Sequence, residues 1–208
     1  MLYEYLIQNY APNEPIFISD LELPNITDNY LRVQIKALCD NGKIKRYDTG
    51  IYYLPSSSRL KGGNTLPPDV VASYKYIARK GNIEGYYSGY TFANQLGITT
   101  QVPYTLEIVS NNSGGSYREI SLKGQRLILR KPRSKVTKEN YRILQFLDLL
   151  KDIDIYADNT SDVDCRQQLI EYMKKEGISK EAVDKYISKY PDKIYKAIYE
   201  MRLYDALA

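Results

Sequence analysis

The stretch PNITDNYLRVQIKALCDNGKIKRYDTGIYYLP, Pro24 to Pro55, decides the reading of this chain. Thr27 is placed to cap a helix, and Asp28 suits the positively polarised first turn. On a 3.6-residue period Leu31, Ile35 and Leu38 share one face, while Asn29, Arg32, Val33, Lys36 and Asp40 fall on the other. Asn41-Gly42 ends the helix, because glycine takes the left-handed terminal conformation without strain. Lys43 to Tyr47 then alternates polar and apolar, Asp48-Thr49-Gly50 turns, and Ile51 to Leu54 returns as a second strand. A helix with a basic outer face followed by a two-stranded ribbon is the order of a winged helix-turn-helix. Such a helix enters a major groove while the ribbon reaches along the backbone.

Working upstream, Leu2, Tyr5, Leu6 and Asn9 recur at helical spacing until Pro12 and Pro15 stop them. Ser19 followed by Glu22 matches a capping box, so a very short helix is expected from Asp20 up to Pro24. Charge over residues 1 to 60 is nearly balanced, but placement is not. Arg32, Lys36, Lys43, Lys45 and Arg46 all lie on the central helix and its ribbon, among acidic neighbours Asp28, Asp40 and Asp48. Asn and Arg read base edges, whereas Lys and Arg on a ribbon neutralise phosphates. The expected base readers are therefore Asn29 and Arg32, and the expected phosphate contacts are Lys36, Lys43, Lys45 and Arg46.

Downstream, PSSSRLKGGNTLPP at 55 to 68 has no apolar period and reads as a linker. Helical spacing resumes at Asp69 and is expected to run to Lys80-Gly81. Tyr86-Tyr87 is then extended, and a short helix over Thr91 to Leu96 is capped by Gly97. Strands follow at Thr105 to Val109, Tyr117 to Ser121 and Gln125 to Arg130, with Lys123-Gly124 as the turn between the last two. From Ser113 to Arg142 nine bases face only Glu119 and Glu139, a cluster able to attract phosphate. Its centre is Arg126, Arg130, Lys131, Arg133 and Lys135, a secondary basic patch. Asn140 to Lys151 is a dense, mostly buried helix with Ile143, Leu147 and Leu150 as its stripe.

Charge then reverses. Between 143 and 176 stand Asp148, Asp152, Asp154, Asp158, Asp162, Asp164, Glu171 and Glu176. The spacing lacks the glycine turn and closing glutamate of a calcium loop, so no metal site is expected. Three more helices are expected at Asp164 to Lys175, Ser179 to Tyr190 and Pro191 to about Ala206. They either complete the protein's own core or offer a surface to a partner.

Composition narrows the function further. The 208 residues carry 29 basic and 25 acidic side chains, a net charge of +4, which permits a nucleic-acid partner without requiring one. There is no histidine, which removes the commonest general base and zinc ligand and every Ser-His or Cys-His pair. No phosphate-binding or dinucleotide glycine motif occurs, nor a paired Cys-x-x-Cys. We therefore expect no catalytic residues, no cofactor and no enzymatic activity. Only Cys39 and Cys165 are present, so a reducing, cytoplasmic setting is the expectation, and no stretch approaches a membrane-spanning length. The 22 tyrosines, against no tryptophan, supply aromatic bulk with a polar handle.

Particular motifs carry a resemblance. They are Phe17-Ile18-Ser19-Asp20-Leu21, then Leu38-Cys39-Asp40-Asn41-Gly42-Lys43-Ile44-Lys45-Arg46 leading to Gly50-Ile51-Tyr52-Tyr53. Gly85-Tyr86-Tyr87-Ser88-Gly89-Tyr90-Thr91-Phe92-Ala93-Asn94-Gln95-Leu96-Gly97 and Thr100-Gln101-Val102-Pro103 continue the pattern, which ends in Leu144 to Lys151. Over roughly residues 1 to 155 the chain resembles the AbiEi-type antitoxin and transcriptional-regulator family, in its shorter branch known as DUF6088. The resemblance implies an N-terminal winged helix-turn-helix that binds promoter DNA and a following domain that supports regulation. It also implies repression of the protein's own operon and neutralisation of a nucleotidyltransferase-like toxin encoded nearby, as in type IV AbiE-like toxin-antitoxin systems.

The expected fold is thus α+β: a winged helix-turn-helix at 1–57, a linker at 58–67, a mixed α+β regulatory domain at 68–157 and a helical tail at 158–208. The expected function is a sequence-specific DNA-binding transcriptional regulator, with double-stranded operator DNA as partner and a homodimer on any palindromic site. The alternative is an antitoxin or scaffold acting through protein–protein contact, with a purely structural winged helix.

Overall fold

The computed structural model describes residues 2–21, 23–24, 26–56, 65–157 and 162–206, with the backbone alone at 162 and 163. The fold is α+β, with several helices and mixed sheets, and the chain divides into two compact units, Met1–Val71 and Ala72–Ala208.

In the first unit the order is helix α1 (Leu2–Asn9), strand β1 (Ile16–Phe17), a 3-10 turn (Ile18–Asp20), helix α2 (Asp28–Asp40), and strands β2 (Lys45–Asp48) and β3 (Ile51–Tyr53). The strands form an antiparallel sheet in the order β1-β3-β2, so the ribbon is anchored by a strand from before the central helix. Leu2 and Leu6 of α1, Leu31 and Ile35 of α2, and Ile16, Leu21, Ile44 and Leu54 make one buried cluster. The short helix begins two residues earlier than its capping signal implies. Its N-cap is Phe17, without a side-chain cap, because Ile18 N donates to Gly50 O at 3.0 Å and ties the turn to the ribbon. The Ser19 hydroxyl instead donates to Asp20 Oδ1, and Glu22 lies outside the described residues. Most of the linker, 57–64, lies outside them too.

Helix α3 (Pro68–Tyr76) crosses the division between the units and stops short of the expected Lys80-Gly81. The chain turns into a small ribbon of β4 (Ala78–Arg79) and β5 (Asn82–Ile83). Lys80 and Gly81 both hold positive φ, 50° and 78°, the two-residue turn that hairpins favour.

The second unit is built on a four-stranded sheet of β6 (Gly85–Tyr87), β7 (Thr105–Ser110), β8 (Tyr117–Leu122) and β9 (Gln125–Arg130), ordered β6-β7-β9-β8. The β7–β9 pair is parallel and its neighbours are antiparallel. Helices α4 (Gly89–Gln95), α5 (Tyr141–Leu150), α6 (Ile153–Tyr156), α7 (Asp162–Glu176), α8 (Lys180–Ile187) and α9 (Lys193–Glu200) complete it. Every residue of α5 from Ile143 to Leu150 is buried. The polar members are satisfied: Gln145 Nε2 donates to Tyr87 O at 2.8 Å and Tyr86 OH donates to Asp148 Oδ2 at 2.8 Å. The C-terminal helices complete the protein's own core, since Leu169, Met173, Val183, Ile187, Ile194 and Ile198 join Leu144 and Leu147 in one cluster. The last helix is shorter than its apolar spacing implies. Arg202 adopts φ 47°, the helix closes, and Leu203 N returns to Ile198 O at 3.0 Å with its side chain buried.

Candidate nucleic-acid interface

Helix α2 starts where its sequence says it should. The Thr27 side chain accepts from Tyr30 N at 3.4 Å, and Gly42 closes the far end at φ 68°. With Leu31 and Ile35 buried, Asn29, Tyr30, Arg32, Val33, Lys36, Ala37 and Asp40 are exposed on the outer side. Tyr30 is 50% and Val33 63% exposed, values far from core packing.

The ribbon brings a second cation to this helix. Ile18, Ser19, Leu21, Asp28, Leu31, Arg32, Arg46, Thr49, Gly50 and Tyr52 line a cleft of about 780 Å³. Arg46 is oriented by its own turn: Nε donates to Asp48 O at 3.4 Å and Nη2 to Thr49 Oγ1 at 3.3 Å, while Thr49 N donates to Asp48 Oδ1. Gly50, at φ 73°, makes the turn that holds these groups. Arg32 and Lys36 are both exposed. The guanidinium groups of Arg32 and Arg46, the hydroxyls of Ser19, Thr49 and Tyr52, and an apolar floor offer donors to a phosphodiester, while the single carboxylate, Asp28, opposes one of the two positive charges.

The other ribbon cations lie elsewhere. Lys45 pairs across from Tyr53 and Arg46 from Tyr52, so the pleat sends them to opposite faces of the sheet. Tyr52 packs beside the first unit's core cluster, whereas Tyr53 and Tyr47 are buried on Lys45's side. Burial, then the charges of Asp48 and Asp69, push the Tyr47 hydroxyl above its ordinary range, so it stays neutral. Lys43 sits at the C-terminal end of α2, its ammonium 4.8 Å from the Tyr3 ring centroid, beside a separate cleft of about 400 Å³. Of the expected contact residues, the structure thus gathers Arg32 and Arg46 in one cleft, with Asn29 and Lys36 on the open face. Lys43 and Lys45 are set apart from that group.

In the second unit the basic segment is largely engaged. Arg126 pairs with Glu119 at 3.3 Å, and Arg130 pairs with Glu107 at 3.5 Å while lying over the Tyr117 ring. Arg133 Nη1 donates to Lys189 O at 3.1 Å and its guanidinium covers Tyr190. Lys189 Nζ in turn donates to Ser134 Oγ at 2.7 Å. Lys131 and Lys135 are exposed. The patch therefore gains Lys185 of α8 and Lys189 of the turn that follows it, both 5.4 Å from the Tyr186 ring. A local charge count misses them, because the approach of Lys189 to Arg133 and Ser134 is tertiary. Among the described residues no group of three or more His, Cys, Asp or Glu side chains is placed to hold a metal, and no helix is long and apolar enough to cross a membrane.

No curated protein matches the chain. A family model does: DUF6088, described as a family of unknown function, matches residues 10–181, a span that takes in most of both units. The chain belongs to the DUF6088 family.

Proposed function

We propose that the protein is a non-enzymatic, sequence-specific DNA-binding transcriptional regulator whose first unit is a winged helix-turn-helix. The observation that carries this reading is the cleft shared by Arg32 of α2 and Arg46 of the ribbon. Helix α1, the turn at Ile18–Asp20, α2 and the β2–β3 ribbon follow the element order of that motif, with α2 as the helix for a major groove. Asn29, on the outermost part of α2, is the residue for base edges. Arg32, drawn towards the ribbon, joins Arg46 on the backbone, and Lys36 adds a third phosphate contact. The secondary patch around Lys131, Lys135, Lys185 and Lys189 is a further phosphate surface. The resemblance of its motifs to AbiEi-type antitoxins supports a role as autorepressor of its own operon, with a nucleotidyltransferase-like toxin encoded nearby as the partner to test.

The test is a mobility-shift titration of the full chain on the duplex upstream of its own coding region and on a random duplex, each at two salt concentrations. Preference for the upstream duplex, with affinity falling steeply as salt rises, is the expected outcome. Equal affinity for both duplexes removes the sequence-specific reading, and absence of binding at low salt removes DNA binding itself. A pull-down with the product of the adjacent gene separates a lone regulator from an antitoxin acting by contact.

A further inference from the structure

The exposed side of α2 divides into two neighbouring rows of different chemistry. Residues four apart lie nearly in line on a helix, each step turning the row by only about 40°. Asn29, Val33 and Ala37 make one such row, and Arg32, Lys36 and Asp40 make the other. All six are exposed. The cleft tells the rows apart, because it takes in Arg32 and Arg46 but no member of the Asn29 row. Arg32, one turn after Asp28 in the same cleft, thus sets the start of the charged row on the ribbon's side of the helix, and Lys36 and Asp40 continue it onto the open face. The row of Asn29, Val33 and Ala37 lies diametrically away from buried Leu31 and Ile35, on the crest that would go deepest into a groove.

Stability does not account for Val33. It is 63% exposed, so it buries little surface, and a β-branched side chain in the middle of a helix loses rotamer freedom. Its crest neighbours are an amide, at Asn29, and a methyl, at Ala37. In a major groove an amide pairs bidentately with adenine, while aliphatic side chains meet the C5 methyl of thymine, the one apolar group any base shows there. Four residues rise about 6 Å and eight about 12 Å, so the row spans roughly three to four base-pair steps of ~3.4 Å.

We infer that Val33 and Ala37 read thymine methyl groups in a row that begins with Asn29 on adenine, so the operator half-site is a short A·T-containing run recognised through its methyl groups. The inference rests on the DNA-binding reading above and makes Val33 a specificity-determining residue for it.

The experiment uses the full chain and a duplex that it selects from a random-sequence pool. Each thymine of the selected duplex is replaced singly by uracil, which removes the C5 methyl and leaves the hydrogen-bonding edge unchanged. Loss of one buried methyl contact corresponds to about a fourfold loss of affinity. The native protein should lose about fourfold at one or two thymines, and Val33→Ala should be indifferent to uracil at one of them. Val33 is on the surface and alanine favours helix, so this variant should fold, which circular dichroism checks. Tight, selective binding with every uracil neutral overturns the methyl-reading row while leaving DNA recognition standing. An undiminished uracil penalty at every position in Val33→Ala overturns Val33's part in it. Failure to select any sequence overturns the DNA-reading proposal and this inference with it.

Discussion

Arg46 and Lys45 are adjacent in the chain, yet the pleat of one strand gives them different surroundings. Arg46→Ala should weaken upstream and random duplexes alike and flatten the dependence of log affinity on log salt by about one. Lys45→Ala, on the opposite face beside Tyr53, should do clearly less in the same titration. Gly89 has a structural constraint of its own. It holds φ 58°, and a Cβ there would meet the Glu107 carboxylate at 2.1 to 2.5 Å. Gly89→Ala should cost about 1–3 kcal/mol in denaturant unfolding and disturb the Glu107–Arg130 pair. Asp148 gives a pH effect. Burial raises its carboxyl above the ordinary range, against the opposing pull of Lys151 and of the hydrogen bond from Tyr86. The folded protein therefore keeps this proton where the unfolded chain has lost it. The associated stability is complete below the ordinary aspartate range and is lost as pH rises through the raised folded value. Asp148→Asn keeps an oxygen for Tyr86 and removes the titration. Its Tm should accordingly gain on that of the native protein as pH goes from about 4 to about 7.

Among the elements, α2 depends on its cap. Thr27→Ala removes the 3.4 Å bond to Tyr30 N and should cost about 0.5–1 kcal/mol in thermal unfolding, with the first turn around Asn29 the part affected. This helix and ribbon were legible in sequence because cap, apolar period and glycine stop all agree locally. The same holds for β7, β8 and β9, whose alternation and turns are local signals. What escaped reading is what distant residues impose. The turn at Ile18–Asp20 is set by the backbone of Gly50, and the β4–β5 ribbon by the left-handed pair Lys80-Gly81, where helical spacing alone predicts a longer helix. The site follows the same division. Exposure of Asn29, Arg32, Val33 and Lys36 follows from periodicity, whereas the partition of Lys45 from Arg46 requires knowing which face of the sheet is covered. Likewise the approach of Lys189 to Ser134 spans 55 residues of sequence, beyond any local charge count.

At the scale of the molecule, two units with their own cores share one chain, and the acidic-to-basic alternation along the sequence does not mark their division. The C-terminal helices belong to the second core. Ending the chain after Ala157 would strip Leu169, Met173, Val183, Ile187, Ile194 and Ile198 from Leu144 and Leu147. Cooperative thermal unfolding of the second unit should vanish in that truncation, and dye binding should report exposed apolar surface. The order of strands has a kinetic corollary. β8 and β9 are joined through Lys123-Gly124, so their pairing closes the shortest of loops, whereas β7 meets β9 only after an intervening strand has been bypassed. Loop-closure entropy makes the hairpin the cheaper nucleus and the parallel seam the later event. In a refolding experiment followed by amide exchange, β8–β9 amides should gain protection ahead of those in β7, and slow assembly of this unit would trace to the moment a finished hairpin docks.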